Sequence, residues 1–133
     1  MPDTQAQSTR SVVEAAYAAA IAGDAGAITA LLHPDVVLHE AASLSNGGVH
    51  RGLAAVMQAL GAVFATFDLS RLQIERIVTE GEFGIGLVRI PLRGCVEAMP
   101  VAEVYRVQAG RIMEIRPFYW DTAMLAAPPA GAD

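Results

Sequence analysis

After a polar opening stretch, apolar residues recur at Val12, Val13, Ala16, Tyr17, Ala20 and Ile21, one stripe at the helical period. Ser11 and Glu14 have capping-box spacing, so the pattern predicts a helix from Ser11 to about Ala22. Gly23 ends it, because glycine accepts a left-handed terminus, and Asp24 can cap a short helix over Ala25 to Leu32. His33-Pro34 stops that helix, since the residue before a proline avoids helical geometry. Asp35 to Glu40 is short and β-branched and predicts a strand, and the polar, glycine-rich run Ser43 to Gly48 predicts a loop. Leu53, Val56, Met57, Leu60 and Phe64 then place a third helix over about Leu53 to Ala65.

Everything beyond Asp68 reads as sheet. Leu69 to Thr79, Glu82 to Leu92, Val96 to Gln108 and Arg111 to Trp120 are separated by short glycine-containing links, which predict hairpins and antiparallel neighbours. Phe83, Ile85 and Leu87 alternate with Val88 and Ile90 so that both faces of a strand are apolar, unlike a sheet with one wet face. One face can cover the helices and the other a second copy, so a homodimer through the outer sheet face is expected. Ala126 to Asp133 reads as a loose tail.

Composition narrows the class. The 133 residues suit one α+β domain, spanning 1–133 with an ordered core of about 8–125. The 53 % apolar content is interrupted too often for a membrane span, and residues Met1 to Gln7 lack the order of a secretion signal, which predicts a cytoplasmic protein. The single Cys95 can make no internal disulfide, and no metal or other cofactor is expected from the spacing of His33, His39 and His50. A net charge of −5 without a Lys/Arg cluster argues against a nucleic-acid partner. Gly84-Ile85-Gly86 begins like a phosphate loop but lies mid-strand with no helix after it.

The element order, with Tyr17-x5-Gly23-Asp24, Leu31-Leu32-His33-Pro34-Asp35-Val36-Val37, Tyr105-Arg106-Val107 before Gly110-Arg111-Ile112, and the closing Arg116-Pro117-Phe118-Tyr119-Trp120-Asp121, resembles the nuclear-transport-factor-2-like superfamily. That group includes ketosteroid isomerases, SnoaL-like polyketide cyclases and limonene epoxide hydrolases. The resemblance spans about Ser11 to Leu125 and implies a cone: three N-terminal helices on a curved, mainly antiparallel sheet enclosing an apolar cavity.

It also implies site residues. Glu40 stands where the isomerases carry a general base, and Glu103 where they carry an acid that donates to the developing oxyanion. A partly desolvated carboxylate can move a proton beside a carbonyl, and a carboxyl among apolar neighbours tends to stay protonated and donate. A solvated Glu40 at a strand end and a Glu103 paired with an arginine are the plainer alternatives. The isomerases' phenol maps to Ala16; Tyr17, the next residue, is rotated about 100° from that site and either reaches the cavity or simply packs. Strand alternation puts Glu103 on one face with Val101, Tyr105 and Val107. Phe64, Val88, Ile90, Met99, Val101, Tyr105 and Tyr119 are expected lining, with Trp120 near the mouth, whereas His39 and Arg116 are expected to face away. Arg76 matches the arginine of the epoxide hydrolases, but their acids map to Val78 and Pro117, which excludes that chemistry. The expected function is cofactor-free proton transfer on an apolar carbonyl compound, as in an isomerase or cyclase. The alternative is a non-catalytic module that binds an apolar ligand or dimerises.

Overall fold

Asp3 opens the first helix in the computed structural model, which describes residues 3–126. Its carboxylate accepts from the Ala6 N–H (3.0 Å) and, across the fold, from the Gly81 N–H (2.9 Å), while the Thr9 hydroxyl donates to the Gly81 carbonyl (2.8 Å). These contacts carry α1 over Thr4–Ala22, a turn and more before the expected start. Ser11 is therefore no cap; it lies inside the helix and its hydroxyl donates to the Gln7 carbonyl (3.1 Å). Gly23, at φ 69°, ends α1, and Asp24 caps α2 (Ala25–Leu31) by accepting from Ala27 N–H at 3.0 Å.

Strand β1 (Leu32–Glu40) begins earlier than its β-branched core suggests. Pro34, which has no N–H to give, falls where the pairing of β1 with its neighbour shifts register, between Leu32 and Val37. A four-residue strand the sequence pattern does not announce, β2 (Gly48–Arg51), returns antiparallel to β1 with Glu40 opposite Gly48. Helix α3 (Leu53–Thr66) follows. Leu69–Arg71 is a 3-10 turn rather than strand, because Asp68 accepts from the Ser70 N–H (3.2 Å) and the Arg71 Nε–H (2.7 Å). The meander is then β3 (Gln73–Glu80), β4 (Phe83–Pro91), β5 (Ala98–Gln108) and β6 (Arg111–Tyr119), with a short α4 (Thr122–Ala126) after it. Of the expected tail, 127–133 lies outside the described residues.

The six strands form one curved, unclosed sheet in the order β2-β1-β6-β5-β4-β3, antiparallel except where β1 meets β6. This is the expected α+β architecture. The helices cover one face, where Val13 and Tyr17 of α1 and Val56 of α3 join Val36, Leu38, Val88, Met99, Val101 and Val107 of the strands in the core. On the other face Phe83, Ile85, Leu87 and Phe118 remain exposed. Among the described residues no helix is long and apolar enough to cross a membrane.

Candidate active site

Glu103 lies mid-strand on the helix-facing side of β5, opposite Gly86 of β4 and Pro117 of β6. Gly86 leaves a gap beside it, and Tyr17 fills that gap from α1. A Cβ on Gly86 would stand 1.9 Å from the Tyr17 phenol oxygen and 2.7 Å from two ring carbons. Gly84 does the same one pleat away, where a Cβ would come within 3.1 Å of Val13 and 3.3 Å of Thr9. The Gly84-Ile85-Gly86 run thus serves close helix-on-strand approach.

Seated there, the Tyr17 hydroxyl donates to Glu103 Oε1 at 2.9 Å, and Tyr105 donates to the same oxygen at 3.4 Å. The two rings meet edge to face, 5.9 Å between centroids. Glu103 Oε2 has no hydrogen-bond partner among the described residues, yet it is not sealed within protein. It is the oxygen available to a ligand. The carboxyl lines an apolar cavity of about 80 Å³ together with Ala16, Leu60, Val63, Phe64, Ile90 and Tyr105. Burial pushes Glu103 up to about 7, with the Glu40 charge adding to the rise and the Tyr17 and Tyr105 hydrogen bonds opposing it. Burial, and then the nearby Glu103 charge, also raises both phenols, which keeps them as neutral donors.

Glu40 ends β1 on the same side of the sheet and is only 6 % exposed. Tyr119 donates to both of its oxygens (2.8 and 3.1 Å), and Asn46 Nδ2 donates to Oε2 at 3.3 Å. Phe67 at the end of α3 stacks on Tyr119, 6.1 Å between centroids and 8° apart in plane. Asn46 is held by a doubly turned loop in which Leu44 N–H donates to Ala41 O (3.0 Å), Gly47 N–H to Leu44 O (2.9 Å), and His50 Nε2 contacts Asn46 O (2.7 Å). Burial raises the Glu40 pKa; the Tyr119 and Asn46 hydrogen bonds and the charge of His50 pull it back. Glu40 lines a second cavity, about 40 Å³, with Asn46, Val63, Thr66, Phe67 and Tyr119. Val63 is the side chain common to the two chambers.

The structure brings some of the expected lining together and not the rest. Phe64, Ile90 and Tyr105 line the Glu103 chamber and Tyr119 the Glu40 chamber. Val88, Met99 and Val101 face the helices but are spent in the core and line neither. Trp120 is not at the mouth of either chamber: β6 ends at Tyr119, the Trp120 N–H donates to Pro100 O (3.0 Å), and its ring is 82 % exposed in a groove with Leu87 and Phe118. His39 is on the outer side, 3.2 Å from Glu114, and Arg116 is exposed. Asn46, Val63, Phe67 and Gly86 escape the sequence reading. Only Gly86 leaves a signal, since a glycine inside a strand marks a close approach. Among the described residues no three His, Cys, Asp or Glu side chains gather as a metal site.

Two outcomes follow from this geometry. Gly86→Ala will drive Tyr17 off Glu103 and destabilise the fold by about 1–3 kcal/mol, the usual cost of overpacking. Tyr17→Phe in the same chain removes the worst clash and will recover part of that loss, measured by urea unfolding. The second outcome concerns pH. Glu103 ionises near 4.5 when unfolded and near 7 when folded, so between these values the folded state holds more protons. Stability linked to this group is whole below about 4.5, falls as pH rises, and levels off above about 7. Glu103→Gln will flatten that decline, by at most about 1.4 kcal/mol per pH unit, leaving the smaller slope of the same sign that Glu40 contributes.

Residues 13–115 match the SnoaL-like domain family. No curated protein sequence matches the chain. A protein from Jannaschia sp. CCS1, provisionally named a SnoaL-like polyketide cyclase, superposes with a TM-score of 0.78 at 16 % identity, covering 97 % of this chain and 99 % of that one. One from Kribbella flavida, provisionally named a ketosteroid isomerase, gives 0.73 at 16 % identity, covering 96 % and 86 %. A protein of unknown function with a cystatin-like fold from Xanthomonas campestris gives 0.76 at 25 % identity, covering 89 % and 95 %. With its matched residues spanning both helices and sheet, the chain belongs to the SnoaL-like domain family, on the NTF2-like fold whose members include isomerases and cyclases.

Proposed function

We propose that the protein catalyses cofactor-free proton transfer on an apolar carbonyl compound, as an isomerase or cyclase does. The observation that carries this reading is Glu103: a carboxyl raised to about 7, fixed through one oxygen by two phenols and lining an apolar cavity. A proton on Oε2 makes it a donor to a carbonyl oxygen. Glu40 is the base. Its carboxylate takes the proton from the carbon next to the carbonyl, the C–H electrons move into the new C=C bond, and the carbonyl oxygen gathers negative charge against Glu103. Where the compound also carries a C=C in conjugation with the enolate, returning that proton to the far carbon of the dienolate completes an isomerisation with nothing gained or lost. Desolvation favours the step, because it raises the basicity of Glu40 and strengthens the hydrogen bond to the oxyanion.

One observation favours the alternative of a binding module. Glu40 and Glu103 line separate chambers in this structure, whereas a catalyst must bring both to one ligand. Deuterium uptake next to the carbonyl of 2-hexanone in D2O, followed by NMR, separates the two readings. The proposed catalyst will accelerate uptake over buffer. Glu40→Gln will then lose about 10²–10⁴-fold, and Glu103→Gln about 10²–10³-fold. Bound ketone with uptake at the buffer rate leaves only the binding reading.

We further propose that the outer sheet face docks a second copy of the chain. Leu87, Ala102 and Phe118 stand in one row across β4, β5 and β6, with Ile85, Val104 and Arg116 in the next, and Phe118 is 56 % exposed. Charges of both signs edge this apolar strip: Arg76, Arg89 and Arg116 against Glu75 and Glu114. Arg89 and Glu75 pair with each other within the chain, so the exposed apolar strip is what a two-fold mate would cover. Light scattering after size exclusion will give a dimer mass, and Phe118→Arg will give a monomer. A wild-type monomer at the highest soluble concentration rejects the interface.

A further inference from the structure

The two chambers differ in what they offer a ligand, and one side chain stands between them. The Glu103 chamber is apolar apart from its carboxyl and phenols, while the Glu40 chamber carries Ser45, Asn46 and Thr66. At about 80 and about 40 Å³, each is smaller than a cavity of about 150 Å³ that takes a benzene ring. A ring wholly enclosed in either chamber would need the walls to move. Val63 is the side chain that a ligand spanning these two chambers would meet in both.

The sequence makes that passage stiff. Val63 is β-branched and sits inside α3, where a valine holds essentially one rotamer, so it does not swing aside. Leu60 and Phe64 wall the Glu103 side of the same helix face, and Phe67, one turn on and stacked on Tyr119, walls the Glu40 side. A chain can divide its atoms between the two chambers, which a ring cannot do.

On these grounds we propose that Val63 is the specificity-determining residue of the site, a sieve that admits slender, unbranched carbonyl chains and rejects ring compounds. This rests on the proton-transfer reading for its choice of carbonyl ligands, but the sieve itself is a matter of shape. The substrate class is then an acyclic unsaturated ketone or ester, with its carbonyl oxygen at Glu103 and its chain threaded past Val63 toward Glu40.

The test compares 2-hexanone with cyclohexanone, which have the same six carbons and one carbonyl, by methyl NMR titration of the wild type, Val63→Ala and Val63→Leu. Leu60 reports on the Glu103 chamber and Leu44 on the Glu40 chamber. In the wild type 2-hexanone will bind at least about tenfold tighter than cyclohexanone and shift both leucines. Val63→Ala will tighten cyclohexanone about tenfold while leaving 2-hexanone within about threefold, and Val63→Leu, which keeps a full helical core position, will weaken 2-hexanone. A wild type that prefers the ring, or an alanine variant that moves both ketones equally, overturns the sieve. Deuterium uptake in the same samples keeps the two ideas apart. Selective binding without uptake removes the catalytic reading and keeps the sieve, and uptake without selectivity does the reverse.

Discussion

Putting Glu103 in the interior is the constraint around which the rest of this molecule is arranged. An ionised carboxylate buried without partners is costly, and a protein meets that cost by protonating it, by supplying donors, or both. Here one oxygen receives two phenols, and the rise to about 7 lets the proton come and go near neutrality. The nearer phenol arrives only because β4 has no side chain at Gly86. The seat of α1 on the sheet, the glycines of β4 and the protonation of Glu103 are thus one arrangement. Substituting any part of it disturbs the others.

The fold was legible wherever a local pattern and the tertiary environment agree. The stripe Leu53, Val56, Met57, Leu60 and Phe64 gives α3 within a residue, and the glycine links give the three hairpins of the meander. Legibility failed where distant groups decide. Ser11 and Glu14 have the spacing of a helix start, but the helix extends to Asp3 because Gly81, far along the chain, supplies partners for Asp3 and Thr9. Gly48–Arg51 has no apolar alternation and is a strand only because β1 offers it a ladder.

The site shows the same division. Alternation along β5 was enough to put Glu103 on the face with Tyr105, and the position of Glu40 at the end of β1 followed from its strand. Tyr17 was ambiguous because helical geometry alone turns it about 100° from Ala16. The gap at Gly86 resolves that ambiguity, since it lets a phenol one residue later reach the carboxyl from another direction. Asn46 comes from a loop whose shape depends on Gly47, where a Cβ would lie 2.4 Å from Ala41 O, and no periodicity reports on such a loop.

What distinguishes the two carboxyls is how many of their oxygens are occupied. Glu40 has donors on both, from Tyr119 and Asn46, and these favour its charged form against the effect of burial. Glu103 has donors on one oxygen alone, and the charge of Glu40 works against a second charge nearby. Like charges coupled in this way oppose double ionisation, and Glu103, raised to about 7, can hold the proton. A base beside an acid is the division of labour that a proton shuttle needs, and it arises from hydrogen bonding and burial without any change of residue type. Each carboxyl lines its own chamber, and Val63 lines both. In the proposed proton transfer, the ligand carries the proton from one carboxyl to the other.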